Sequence, residues 1–520
     1  MTRRRPAKLP ALRPVVWLLI SSVLLAGLSA PPARAQDEPP LPAGLGTGEQ
    51  QPSEDEPELP AGLGGESSEQ PGSEPSLPAG LGQPPAEDEP ELPAGLGEQP
   101  PASGSEEAAQ RPDWWDQLDV SGFWEIRGGV RTQRDRHQKR VSIAETRLSL
   151  ELEFSPREDL IFKLTTDLLY DQVMERHKVN LETGEGLLDL REASVTFSPL
   201  EFMDVKLGRQ VLTWGTGDLV FLNDLFPKDW QSFFIGRDTD YLKAPSDALK
   251  LSLFSDVANW DIVYTPRFDA DRFIRGQRIS YYNPLIGGRA GRNFIQSPDY
   301  PDRWLRDSEW ATRVSRLVAG WELAGYGYWG YWKSPGGMKI RGLKAAFPRL
   351  SVYGGSLRGQ IAGGIANLEV AYYDSREDRS GRNPLVDNSQ MRFLAGYERQ
   401  MPELASDLTL GMQYYVEWMQ DYDQYSRRQP DFMPRKDEVR HVLTFRVTRL
   451  LLNQNLTLSL FAFYSPSDGD AYLRPRVSYK LNDDWTAEVG GNAFFGTNEY
   501  TFFGQFSRNS NVYVALRYGF

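Results

Sequence analysis

Residues 144–154 read Ala144-Glu145-Thr146-Arg147-Leu148-Ser149-Leu150-Glu151-Leu152-Glu153-Phe154. Ala144, Thr146, Leu148, Leu150, Leu152 and Phe154 share one parity. Glu145, Arg147, Ser149, Glu151 and Glu153 share the other. Successive side chains of a β-strand point to opposite faces, so an extended chain here has one apolar face and one charged face. A strand of about ten residues with that pattern suits a wall with lipid on one side and a polar lumen on the other. A water-soluble sandwich shows the same alternation, so the weight comes from recurrence.

The pattern recurs. Leu160, Phe162, Leu164, Thr166, Leu168 and Tyr170 alternate with Ile161, Lys163, Thr165, Asp167 and Leu169. Leu408, Leu410, Met412, Tyr414 and Val416 alternate with Thr409, Gly411, Gln413, Tyr415 and Glu417. Short links alternate with long ones, as they do when one end of a barrel carries tight turns and the other carries loops. Ser155-Pro156-Arg157-Glu158 and Ser198-Pro199-Leu200-Glu201 are near-copies of one turn. Long links fall near 171–187, 211–247, 267–308, 374–390 and 418–438. Strands are predicted at 120–131, 143–154, 160–170, 188–197, 203–210, 248–254, 260–266, 309–318 and 321–332. They continue at 345–354, 365–373, 391–399, 408–417, 439–449, 456–464, 471–479, 485–494 and 511–520. The fold class is therefore all-β, a transmembrane antiparallel up-and-down barrel of about 18 strands, preceded by a disordered tail. The region 333–364 is glycine-rich with an open register, which leaves 16 strands as the alternative.

Val512, Val514, Leu516, Tyr518 and Phe520 take alternate places in the last strand. A terminal aromatic after such a run resembles the signal read by the outer-membrane barrel assembly machinery, an expected partner. With the lipid face assigned, the opposite face gives the candidate pore lining. Early strands supply Glu145, Arg147, Glu151, Glu153, Lys163 and Asp167; late strands supply Arg440, Arg446, Arg474, Arg476 and Arg517. One arc is mixed to acidic and the arc near the closing seam is rich in arginine. Charged rings of this kind tune which solutes pass. The structural alternative is that they pair across strands and fill the lumen.

Bulk properties agree. A chain of 520 residues exceeds what one water-soluble core usually supports. A mean hydropathy of -0.50 and the lack of long apolar runs after the first 30 residues argue against a bundle of membrane helices. Aromatics at 12% suit two interfacial girdles. With no cysteine, a disulfide, a zinc-thiolate site and a thiol nucleophile are excluded. The net charge of -13 belongs to the tail: residues 36–110 carry 17 acidic groups and no basic ones. Residues 111–520 carry 52 basic groups against 54 acidic.

Arg3, Arg4, Arg5, Lys8 and Arg13 precede an apolar stretch from Val15 to Leu28, and Ala33-Arg34-Ala35 follows. This is the order of an export signal, with cleavage after Ala35. Three regions result: signal peptide 1–35, disordered acidic tail 36–110, barrel 111–520. The tail is Pro, Gly, Glu, Ser and Gln with little to bury. It repeats Leu-Pro-Ala-Gly-Leu-Gly four times, from Leu41, Leu59, Leu77 and Leu92. The repeats read as a solvated spacer, or as tethered docking motifs for a periplasmic protein whose avidity grows with copy number.

Two loops stand out. Residues 211–247 hold Trp214, Phe221, Leu222, Leu225, Phe226 and Trp230, too apolar for an idle loop, and are expected to fold inward or pack on the rim. Residues 267–308 hold eight arginines, including Arg267, Arg272, Arg275, Arg278 and Arg289. This loop is expected to be solvated, with an anionic polymer or lipopolysaccharide phosphates as alternative partners.

Gly208-Arg209-Gln210-Val211-Leu212-Thr213-Trp214-Gly215, Tyr353-Gly354-Gly355-Ser356-Leu357-Arg358-Gly359 and Tyr372-Tyr373-Asp374-Ser375-Arg376 resemble large porin-like outer-membrane proteins of Gram-negative bacteria. Relatives of that kind include barrels of unknown function and, more distantly, the alginate-export type. The resemblance covers about 111–520 and implies a barrel in the cell outer membrane with a transport role.

Catalysis finds little support. His137, His177 and His441 are the only histidines. Asp171, Glu175 and His177 lie close together in a charge-rich loop, where such a grouping arises by chance. Gly215-Thr216-Gly217-Asp218 is a turn rather than a phosphate loop, because no Gly-Lys-Ser/Thr follows. No enzyme, cofactor, metal or nucleic acid is expected. The sequence predicts a porin or transporter passing polar or charged solutes, with outer-membrane lipid and lipopolysaccharide around it and the tail in the periplasm. The alternative is a structural or assembly barrel that anchors a periplasmic partner through the tail.

Overall fold

The computed structural model describes residues 117–174, 178–339, 341–342, 344–431 and 433–520. The export signal with Ala35, the acidic repeats, Glu175 and His177 lie outside the described residues.

Eighteen strands form one antiparallel sheet. They are β1 Leu118–Arg131, β2 Val141–Arg157, β3 Leu160–Asp171, β4 Leu188–Leu200, β5 Met203–Val211 and β6 Pro245–Leu253. Next come β7 Asn259–Thr265, β8 Glu309–Val318, β9 Trp321–Tyr331, β10 Arg349–Ile361, β11 Gly364–Ser375 and β12 Gln390–Gln400. The last six are β13 Leu408–Met419, β14 Val439–Leu451, β15 Leu456–Ser465, β16 Asp470–Lys480, β17 Trp485–Gly496 and β18 Asn511–Gly519. Each pairs with its neighbours in sequence, and β18 closes on β1 from Phe123↔Gly519 to Arg131↔Asn511. Beyond the strand, Phe520 and Gly122 exchange backbone hydrogen bonds of 3.1 and 3.0 Å. Closure leaves no free sheet edge.

The 16-strand alternative does not hold. The strand expected at 345–354 begins later, at Arg349, and runs to Ile361. The glycines there belong inside the strand, and a separate small hairpin, Gly337–Lys339 with Lys344–Ala346, precedes it. Ala362-Gly363, with φ of 50° and 75°, turns the chain into β11, and Ala319-Gly320 does the same between β8 and β9 with φ of 50° and 79°. Left-handed conformation at both central residues matches the twist of the flanking strands.

One end of the barrel carries tight turns; the other carries nearly all the long connections. The outer face is an apolar band, with Leu164, Leu168, Val314, Leu323, Leu368, Val489 and Val514 all exposed. Rings border it. Trp310 packs on Tyr264 at 4.5 Å near the loop end, and Trp485 on Tyr518 at 5.1 Å near the turn end. Water would penalise so wide an apolar belt; a bilayer would not. No described helix is long and apolar enough to cross a membrane, which says nothing of strands.

Candidate pore and its constriction

The core of this barrel lies inside it. Residues 212–244, between β5 and β6, turn inward as the composition predicts. Leu222, Phe226, Phe233, Phe234, Ile235 and Leu242 are all buried. They pack against inward side chains of distant strands: Leu394, Tyr415, Val442, Phe463, Tyr472 and Phe494. Helix α1, Trp230–Ile235, carries the apolar tip. The Asp229 carboxylate caps it by accepting from the Ser232 amide at 2.8 Å and the Ser232 hydroxyl at 2.7 Å. Gly236 ends it at φ 93°, where a Cβ would stand 2.2 Å from the Tyr513 ring. Any larger residue there would clash and be strained.

The loop is tied to two opposite walls. On the β11–β14 wall, Glu369 takes the turn that the sequence shows as Gly-Thr-Gly-Asp. Its Oε1 accepts from the Thr216 amide, the Thr216 hydroxyl at 2.8 Å and the Gly217 amide at 2.9 Å. Its Oε2 accepts from the Asn223 amide group at 2.8 Å. The Tyr373 hydroxyl donates to the Leu222 carbonyl at 2.6 Å, and Asp218 pairs with Arg446 at 3.0 Å. So the turn is an anion-binding concavity whose guest is the protein's own carboxylate.

On the other wall the ties are guanidinium groups. Arg127 donates to the Gly236 carbonyl at 2.6 Å and Arg474 to the Arg237 carbonyl at 2.5 Å. Arg237 pairs with Glu145 at 2.7 Å. Asp238 sits between Arg476 at 3.4 Å and Arg517 at 3.6 Å. Tyr241 is sandwiched by Arg147 and Arg191, at 4.1 and 4.5 Å from the ring centre. Burial pushes the Asp238 carboxyl up, but the two guanidinium groups outweigh it and hold the carboxyl below its usual range. For Asp218 the balance reverses. Burial raises its carboxyl and Arg446 alone does not cancel that.

The candidate lining residues divide by height. Glu145, Arg147 and Asp167 are fully buried in one ion cluster beneath the loop. Arg474 is buried against Phe233 at 4.5 Å. Arg476 pairs with Glu488 at 2.8 Å, and Arg517 with Glu125 at 2.8 Å. Arg440 pairs with Asp468 at 2.6 Å on the loop side. Nearer the turn end, Lys163, Glu151 and Glu153 are half open, and the Arg446 side chain is 42% exposed beside Glu398. The arginine arc is matched by carboxylates: Glu125 across the β18–β1 seam, Glu488 from the neighbouring β17 and Asp238 from the inward loop. Val512, Val514, Leu516 and Phe520 face outward and exposed. Tyr518 shares their face, its ring tilted against Trp485.

The arginine-rich loop departs from expectation. Arg272 and Arg278 are buried, not solvated. Arg272 reaches inward to Asp189 at 2.8 Å and Asp229 at 3.4 Å, and Arg278 pairs with Asp171. Burial lowers the Arg278 guanidinium to about 10. Residues 266–308 thus lie over the inward loop and clasp it. The sequence showed the arginines but not their carboxylates, which come from β3, β4 and the other loop.

This lid holds a pH-sensitive seam. Burial raises the Asp269 carboxyl, and the neighbouring Glu309 adds to the rise. Asp269 accepts from the Ser246 hydroxyl at 2.6 Å, and Lys333 pairs with Glu309 at 2.7 Å. A carboxyl raised in the folded state contributes most below the unfolded value, and its contribution is lost as pH climbs through the folded value. Asp269→Asn is therefore expected to raise the thermal midpoint at pH 8 and leave it nearly unchanged at pH 4. Equal effects at both pH values would refute this.

Towards the loop end, a cavity of about 900 Å³ opens between the two loops and the β12–β15 wall. Phe221, Trp230, Trp332, Tyr415 and Phe502 line it, with Arg392, Glu417 and Arg440 among them. The Arg392 guanidinium carbon lies over the Tyr373 ring, 3.8 Å from its centre. Among the described residues no group of acids and histidines could hold a metal ion. His441 is on the outer face, stacked on Tyr414. Glu369 escaped the sequence reading because only early and late strands were read for charge. An acid at inward parity between Leu368 and Val370 was the available signal.

No family model matches the chain, and no curated protein does. Solved barrels do. OccAB3 of Acinetobacter baumannii is 10% identical with a TM-score of 0.46, covering 78% of this chain and 99% of its own. OccK11 (OpdR) of Pseudomonas aeruginosa is 11% identical with a TM-score of 0.44, covering 78% and 96%. A triple mutant of the Rhodopseudomonas blastica porin is 10% identical with a TM-score of 0.34, covering 78% and 100%. At such values the architecture rests on the strand pairing above, not on the likeness.

Proposed function

We propose that the chain is an outer-membrane channel for small polar or charged solutes, throttled by residues 212–244. The observation that carries this reading is the charged, half-open lumen below the loop inside an apolar outer belt. Lys163, Glu398 and Arg446 have side chains 30, 44 and 42% exposed on inward faces. Side chains that merely filled a lumen would be buried, as Arg147 and Asp167 are. Above the loop, the 900 Å³ cavity is an antechamber for one small solute. The short turns are assigned to the periplasm and the loops to the outside. Charge matching argues against a polyanion such as alginate, which would need unpaired arginines along the path.

Liposome swelling tests the reading. Vesicles carrying the folded barrel should swell with small sugars or amino acids and stay inert towards sugars of several rings. Swelling no faster than empty vesicles, for every small solute tried, would overturn it.

The second reading is a scaffold whose tail holds a periplasmic protein. The apolar core across mid-lumen favours it, because a freely open porin has no need of one. Under this reading a tailless chain conducts as the full chain does but no longer retains the partner.

A further inference from the structure

We infer that the lipid-facing wall over β8–β13 carries a binding groove for the acyl chain of an anionic phospholipid, with Arg316 holding the headgroup phosphate. The inference rests on the membrane reading above.

Two adjacent rows of outward residues cross these strands in register. One runs Arg316, Leu323, Leu357, Leu368, and the other Val314, Gly325, Gly355, Val370. Bulky side chains cover much of the outer face, and single small residues such as Gly128 interrupt it elsewhere. Here two directly paired glycines sink the floor, and an apolar groove of about 830 Å³ lies over them, walled by leucine, valine and Phe393. A Cβ on Gly325 would meet nothing within 4 Å, and one on Gly355 only a backbone oxygen at 3.3 Å. Neither glycine has a positive φ. So neither turn geometry nor internal packing requires glycine. Glycine inside a strand weakens it and marks a place where something else approaches closely.

The charge says what approaches. Arg316 is exposed on the lipid face, two residues before the Val318 strand end, at the turn-end rim. It has no ion-pair partner among the described residues. A cation at the membrane boundary beside a hydrocarbon groove complements a phosphate bearing an acyl chain. Five inter-strand spacings of about 4.8 Å give the groove roughly 24 Å, a length that one extended acyl chain can follow. A second copy of this chain would bring its own arginine and no acid to the same place if the face were paired with itself.

The test is native mass spectrometry of the full chain released from mild detergent, with phosphatidylglycerol or phosphatidylcholine added. The wild type should keep one phosphatidylglycerol in preference to phosphatidylcholine by about fivefold, the scale of one basic residue at an anionic lipid surface. Arg316→Gln should erase the preference. Gly325→Leu has open space at its Cβ, fills the floor and should lose the adduct. Gly128→Leu, also open outside but on the distant β1, should keep it. Heat-modifiable gel mobility confirms that each variant is folded. Equal adducts on wild type and Gly325→Leu would overturn the site, as would a dimer or trimer that Gly325→Leu dissociates. A chain that stays soluble without detergent would overturn the membrane reading instead.

Discussion

Replacing Glu369 with alanine is expected to turn a quiet barrel of low conductance into one that flickers to a much larger level. The carboxylate gathers four donors from Thr216, Gly217 and Asn223. Removing it strands the buried Asn223 donor, at about 1–3 kcal/mol, and leaves the part-buried Thr216 and Gly217 donors to find water at a smaller cost each. Asn367 still holds the Thr216 carbonyl at 3.1 Å, and Tyr373 still holds Leu222. The turn is therefore loosened, not lost, and at a total of several kcal/mol the displaced state becomes populated. Glu369→Gln keeps an acceptor for part of the set and should fall between. Single-channel records of the three proteins check this; an alanine variant as quiet as the wild type would remove Glu369 as the anchor.

The second large effect is on stability. Arg147 contacts Asp167 and Glu145, and all three side chains are at most 2% exposed. Arg147→Met should cost about 3–5 kcal/mol, because it leaves buried carboxylates without their cation. Glu145 keeps Arg237, so Asp167 bears most of the loss. Arg147→Met with Asp167→Leu should recover much of it, since a buried pair replaced by apolar groups is often near neutral. Urea unfolding in lipid vesicles, followed by tryptophan fluorescence, measures both. A single variant as stable as the wild type would show that water reaches this cluster.

These effects come from parts of the molecule that differ in how far the sequence revealed them. Strand parity is a local property, so the 18 strands were legible, and Ala144 to Phe154 alone assigns both faces of β2. The β10 end was misplaced because Gly354, Gly355 and Gly359 carry no side chain to show parity. The inward turn of 212–244 was legible from its aromatics, which water would not tolerate. What it touches was not, because Glu369 and Arg127 lie more than 80 residues away in sequence. Arg272 is a similar case, with Asp189 83 residues and Asp229 43 residues away in sequence. Charge counts along strands located an arginine arc; Glu488 neutralises part of it from the neighbouring β17, and closure of β18 on β1 brings Glu125 to Arg517.

The most direct test of the account is the single-channel conductance of the full chain beside a variant in which residues 214–235 are replaced by a short Gly-Ser link. A small, charge-sensitive conductance is expected for the first and a steady, several-fold larger one for the second. Equal conductances, or none from the shortened barrel when folded, would contradict it.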